Sequence, residues 1–222
     1  MIRLHSPTSV GRVAGALMLT QFVVAPFAAF GLLGRVSAPP GFLANAAGSA
    51  VQVRVAVLLW FVAGALSLAV AIVALPLFRQ LSERMALLYL ALSVVSLATL
   101  TADNVAVLNL LSLSQEYARE GAAKEVLETL GAAARSTRSA AHYSNILVGG
   151  ITVFVFDLIL FRFALVPRAL AALALAAAPL QTAAATLALL GNRFPTRMLI
   201  PVAVAHFALI LWLVAKGFEE RP

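Results

Sequence analysis

RVAVLLWFVAGALSLAVAIVALPLF, residues 54–78, holds no charged side chain after Arg54. A helix needs roughly 20 mostly apolar residues to cross a hydrocarbon core about 30 Å thick. A strand of a membrane barrel would be about 10 residues long and would alternate in polarity. The run is too long and too evenly apolar for that, so it reads as a transmembrane helix. Working outward, five more runs of the same kind occur, at about 11–34, 85–112, 143–165, 168–190 and 195–215. The fold class is therefore all-α: a polytopic transmembrane helical bundle of six spans, forming a single membrane domain over residues 1–222.

Composition agrees. The chain is 62% hydrophobic and 11% charged, with mean hydropathy +0.98. Soluble domains are about 45–50% apolar and about 25% charged. So few polar residues could not cover a soluble surface, and disorder needs the opposite balance. With no Cys, disulfides, thiolate zinc sites, iron–sulfur clusters and Cys nucleophiles are excluded. The net charge of +7 comes from Arg and Lys placed singly or in pairs at span ends, such as Arg35, Arg54, Arg79 and Arg168. That pattern anchors helices at a membrane interface; the lipid bilayer is the expected partner and nucleic acid is not. Association of copies is left open.

Six spans put both termini on one side. The positive-inside count ties, with eight Lys or Arg on each side. The reading adopted is a multi-pass protein of the inner (plasma) membrane with both termini cytoplasmic. The apolar run Val13–Leu33 far exceeds the apolar region of a secretory signal, so the first span is expected to stay uncleaved. Between the third and fourth spans, Ala123, Val126, Leu127, Leu130 and Ala134 share one helical face, and Lys124, Glu125 and Glu128 the other. This predicts an interfacial amphipathic helix over about 115–133.

Function is sought where polar groups sit among apolar ones. An ionisable side chain at mid-membrane costs about 2.5–3.5 kcal/mol on insertion scales. Asp103, beside Asn104, is the clearest case, and Tyr89, Ser93 and Ser96 fall on the same face as Asp103, making a polar stripe. Asp157 lies inside the fourth span, His206 near the centre of the sixth, and Gln21 and Gln181 in the first and fifth. Asp103 is expected to line an internal cavity, facing His206 and Gln181. The predicted function is binding of a small molecule or ion in this polar centre, as carrier or sensor. One alternative is an accessory membrane protein whose polar groups only hold helices together. Another is an intramembrane hydrolase, which needs His142 and His206 to converge on a carboxylate. HExxH is absent, as are nucleotide and nucleophile motifs, so no catalytic set, metal site or cofactor is expected. Pro26, Pro76, Pro179 and Pro201 mark places where a span can kink, and Gly11/Gly15 and Gly31/Gly34 offer faces for close packing.

Certain landmarks recur together: Arg12-Val13-Ala14-Gly15, Leu77-Phe78-Arg79, His142-Tyr143, and Arg162 followed by Pro167-Arg168. In this layout the chain resembles the bacterial membrane family catalogued as domain of unknown function 4386, over nearly its full length. The resemblance implies the same multi-spanning topology and no assigned activity. It also implies a His within the fourth span, where this sequence has Asp157.

Overall fold

The computed structural model describes residues 6–220. Arg3 and Arg221, two of the basic residues in the positive-inside count, and His5 lie outside them. Among the described residues every regular element is helical. Six helices are long and apolar enough to cross a membrane. They are α1 (Pro7–Val36), α2 (Ala50–Leu81), α3 (Glu83–Tyr117), α4 (Lys124–Arg162), α5 (Arg168–Leu189) and α6 (Leu199–Lys216). A short helix, Phe42–Asn45, sits in the α1–α2 connection.

Local chemistry sets the ends. Ser6 caps α1 by accepting the Ser9 N–H at 3.2 Å, with Pro7 at the first helical position. Only Ser82 separates α2 from α3; its extended backbone turns the chain and its hydroxyl accepts the Met85 N–H at 3.4 Å. Arg79 and Glu83 close over that turn at 2.6 Å. After α5 the chain turns at Gly191, whose φ of 86° favours glycine. In α1, Pro26 lacks the N–H that an α-helix requires and is followed by a π-helical stretch, Phe27–Leu33. Pro76 and Pro179 stay inside continuous helices. Pro201 falls in the first turn of α6, where a missing N–H costs little.

The helices form a ring. Each packs on its neighbours in sequence, and α6 returns to pack on α1. The closing seam is made by small residues. A Cβ on Gly11 would collide with the backbone N of Phe218, and one on Gly15 would lie 2.7 Å from the backbone N of Val214. Gly31 and Gly34 make no such seam: a Cβ there meets only the Phe27 ring or the Ala29 carbonyl of their own helix. The Arg12 guanidinium donates to the Ala215 carbonyl at 3.2 Å, at the negative end of the α6 dipole. The start of α1 and the end of α6 thus share one face of the bundle, as an even number of spans requires.

Two cores hold the ring. At the terminal end Phe78, Tyr89, Phe156 and Phe218 pack together with Leu160, Leu165, Leu209 and Leu213. At the other end Leu33, Val36, Val53, Val57, Trp60 and Leu111 form a second cluster. The large exposed apolar residues, such as Leu58, Val94 and Val204, face outward where lipid lies.

Two expectations change. The spans are longer than the apolar runs, and there is no separate interfacial helix at 115–133. Residues 115–117 finish α3, and α4 runs unbroken from Lys124 through the predicted boundary at 143. The physical reason is local: AAARSTRSAAH, residues 132–142, is rich in good helix formers and has no Pro or Gly to stop a helix. Its apolar face is also less covered than expected. Leu127 and Ala134 are half-buried, while Val126 and Leu130 stand open. Gly131 is the buried position, lying against Leu43. At 1.5 Å per residue, α3 and α4 are roughly 52 and 58 Å long, so both project well past a hydrocarbon core of about 30 Å.

The Gly15 seam carries a prediction. Gly15→Val should lose about 1–3 kcal/mol by overpacking, read as a lower unfolding midpoint in detergent. Gly48→Val, where a Cβ has open space, should leave the midpoint unchanged. Equal midpoints for all three proteins would mean that the seam does not hold the ring.

Candidate functional site

A ring of six helices leaves its centre to be filled by side chains, and small ones leave it hollow. Here Ala29, Ala63, Gly64, Ser93, Ser96 and Gly149 face inward, around a cavity of about 540 Å³. All six helices contribute to its wall. The α3 stripe lies along one side as Tyr89, Ser93, Ser96 and Asp103. Gln21 comes from α1, Gln181 from α5 and His206 from α6. Seven of the nine sequence candidates therefore share one cavity. Asn104 and Asp157 do not line it. Both are fully buried behind the wall.

The wall also contains α4 residues that the sequence reading left out of the polar centre, although it named His142 for the hydrolase alternative. On α4, His142, Asn145, Gly149, Thr152 and Phe156 all face the cavity. Their spacing of three, four, three and four is one helical face. The signal was present, but placing the start of the span at 143 split it. Trp60 and Ser67 of α2 complete the wall.

The two carboxylates find partners other than those expected. Asp103 does not pair with His206. Its Oδ2 accepts from His142 Nδ1 at 2.7 Å, and its Oδ1 lies 3.6 Å from Arg138 Nε. The cause is depth. Asp103 and His142 are each roughly 30 Å along their helices from Glu83 and Arg162, whereas His206 is roughly 15 Å from Lys216. Asp103 thus lies about 15 Å further from the terminal end of its helix than His206 does from that of α6. Asp103 is 1% exposed, while the His142 side chain is 35% exposed. With Nδ1 donating to the carboxylate, His142 keeps Nε2 free.

The deeper pair is Asp157 with His206, Oδ2 to Nε2 at 3.1 Å. His206 Nδ1 lies 2.9 Å from the Val202 carbonyl. A carbonyl only accepts, so Nδ1 carries a proton. Nε2 and the two carboxyl oxygens make no aligned hydrogen bond, so the contact is a close approach of two buried polar groups. His206 stands in the cavity wall and Asp157 behind it. Arg162, which could have paired with Asp157, lies instead over the Phe163 ring at 6.0 Å.

Several polar groups are already committed. Ser93 Oγ donates to the Tyr89 carbonyl at 2.8 Å, and Thr152 Oγ1 to the Val148 carbonyl at 2.8 Å. Gln181 Nε2 donates to the Ile146 carbonyl at 3.2 Å, across the α4–α5 crossing. That crossing is close because Gly150 lies under Thr182, where a Cβ would meet Oγ1 at 2.6 Å.

The deep pair makes an asymmetric prediction. His206→Leu leaves a buried carboxyl without a partner and should cost about 3–5 kcal/mol, the range for breaking a buried pair. The double variant His206→Leu/Asp157→Leu should regain most of that loss. Unfolding midpoints of the single and double variants test it; a double variant no more stable than the single one would remove the pairing.

The match to known proteins comes from a family model, which covers residues 13–217. No curated protein matches the chain, and no solved structure does. Since the family model spans nearly the whole six-helix ring just described, the chain belongs to the family described as domain of unknown function (DUF4386).

Proposed function

We infer that this integral membrane protein binds a small molecule inside its helical ring, either to carry it across the bilayer or to sense it there. One observation carries the reading: a cavity of about 540 Å³ whose wall is built by all six helices. Small-molecule sites are typically about 300–1,000 Å³. A bare cation would need oxygen ligands converging at about 2–2.6 Å, and a cavity this size is built for something larger. Ser93, Ser96, Thr152, Asn145 and Gln181 would orient the molecule. Asp103 with His142 would meet one end of it and His206 with Asp157 the other. The setting is the plasma membrane, in the bacterial case the inner membrane.

The alternatives draw less support. A purely accessory protein calls for a filled centre. A hydrolase calls for His142 and His206 converging on one carboxylate, whereas each has its own aspartate. Those aspartates' helical positions put the two pairs at different depths: on α4, His142 and Asp157 are roughly 22 Å apart along the axis.

The test fills the cavity. A Cβ on Gly149 would lie 3.5 Å from Gln181 Nε2 and 4.0 Å from Ser96 Oγ, so it is accommodated while a longer side chain projects into the space. Wild type and Gly149→Leu, purified alike in mild detergent, are compared by native mass spectrometry for bound small molecules. Wild type should carry an adduct that Gly149→Leu lacks, with both proteins folded. The same adducts on both, or none on either, would count against a central site.

A further inference from the structure

We propose that the cavity takes an uncharged amphipathic molecule with an apolar body and a polar edge. The proposal rests on the reading of the cavity as a binding site and adds the chemical class of what it holds.

Charge comes first. Every acid or imidazole in the cavity wall is matched within the protein. Asp103 has Arg138 and His142, and His206 has Asp157. A charged ligand would give up its hydration and find no unpaired counter-charge, a cost of several kcal/mol per ion in a low-dielectric site. A neutral ligand avoids that cost.

The hydrogen-bond inventory comes second. Ser93, Thr152 and Gln181 have each used a donor on a main-chain carbonyl. Ser93 and Thr152 thereby keep hydroxyl lone pairs, while Gln181 keeps its Oε1 and a second amide N–H. Asn145, whose Oδ1 faces Thr99 Oγ1 at 3.3 Å, keeps its amide donors, and Gln21 and Ser96 in the same wall bring further donors and acceptors. The wall can therefore both donate to and accept from a neutral polar edge.

The apolar wall and the opening come third. Trp60, Leu97, Leu100, Val153 and Phe156 line the same space as the polar stripe. A molecule suited to both surfaces has an apolar body and a polar edge. The wall reaches the outside at the π-helical stretch of α1, where Phe30, 78% exposed, is part of the cavity lining. Phe30 belongs to a transmembrane helix, so this opening faces hydrocarbon or its edge. A neutral amphipath dissolved in lipid reaches it without entering water.

The experiment uses Trp60 as the reporter. The chain has two Trp, so Trp212→Phe leaves Trp60 alone in the cavity wall. The protein in lipid nanodiscs is titrated with four bromoalkyl probes of equal chain length: an alkanol, its methyl ether, an alkanoate and an alkylammonium. Bromine quenches indole fluorescence on contact, and Gly149→Leu in the same background supplies the quenching that arises from lipid alone. The alkanol and its methyl ether should quench Trp60 saturably, at midpoints at least about tenfold below those of both charged probes, a difference of about 1.4 kcal/mol. Gly149→Leu should lose the saturable part. If Trp212→Phe does not fold, the shift in unfolding temperature of the wild-type protein with each probe should give the same order. A charged probe binding as tightly as the alkanol overturns the ligand class while the central site stands. No saturable quenching by any of the four overturns both.

Discussion

A carboxylate in an apolar medium must be matched by a positive group, a hydrogen bond or a proton, because leaving it bare costs more than any packing contact returns. This protein buries two, Asp103 and Asp157, at 1% and 0% exposure. Their partners come from other helices or from the far reach of a long one. Asp103 ties α3 to α4 through His142 and Arg138, and Asp157 ties α4 to α6 through His206. Helix α4 takes part in both ties. Its length follows from them: it has to reach His142 and Arg138 at one level and Asp157 at another. The axial register of α3, α4 and α6 is thereby limited to arrangements in which both pairs meet. Small-residue seams such as Gly15 against Val214 then let the remaining helices close the ring at short range.

The hollow centre follows from the order of packing. Each helix rests on its sequence neighbours and α6 on α1, so no helix occupies the axis. Large side chains could still have filled it. They do so at the terminal end, where Phe78, Tyr89, Phe156 and Phe218 meet. Beyond that level the inward positions are held by Ser93, Ser96, Gly149, Ala63 and Gly64, and the space stays open. Tyr89 and Phe156 belong to both regions, since they pack in the aromatic core and also bound the cavity. The aromatic cluster therefore closes one end of the cavity as well as stabilising one end of the bundle.

The sequence made the class of fold legible because hydrocarbon imposes a length and a polarity that few other structures share. Residues 54–78 and the five similar runs could hardly be anything but spans. The α3 stripe was legible too, since helical geometry alone puts Ser93, Ser96 and Asp103 on one side. Boundaries were not, because helix and apolar run are different things. The segment 124–142 is polar enough to leave the membrane yet keeps good helix formers, so α4 continues where hydropathy stops. That difference split the α4 face that carries His142, which the sequence reading named only for the hydrolase alternative and not as the partner of Asp103. Pairing was illegible for a second reason. It depends on the depth at which each helix sits, which is fixed by turns and seams such as Ser82 and Gly11, none of which states a depth on its own. Asp103 lies 20 residues after the start of α3 and Asp157 five before the end of α4, so the two carboxylates sit at different levels of the ring and meet different partners.

The two pairs differ in what they offer a molecule in the cavity. His142 is partly open, holds Nε2 free, and is oriented by a buried carboxylate on its other nitrogen. A group held in this way has a fixed tautomer and a fixed direction. His206 Nδ1 faces a backbone carbonyl, and its Nε2 lies 3.1 Å from the buried Asp157. Between the two pairs, Ser93, Ser96, Asn145 and Thr152 form a continuous polar track along facing sides of α3 and α4. A molecule lying on that track would touch both pairs at once, and its position along the track would be set by hydrogen bonds rather than by charge.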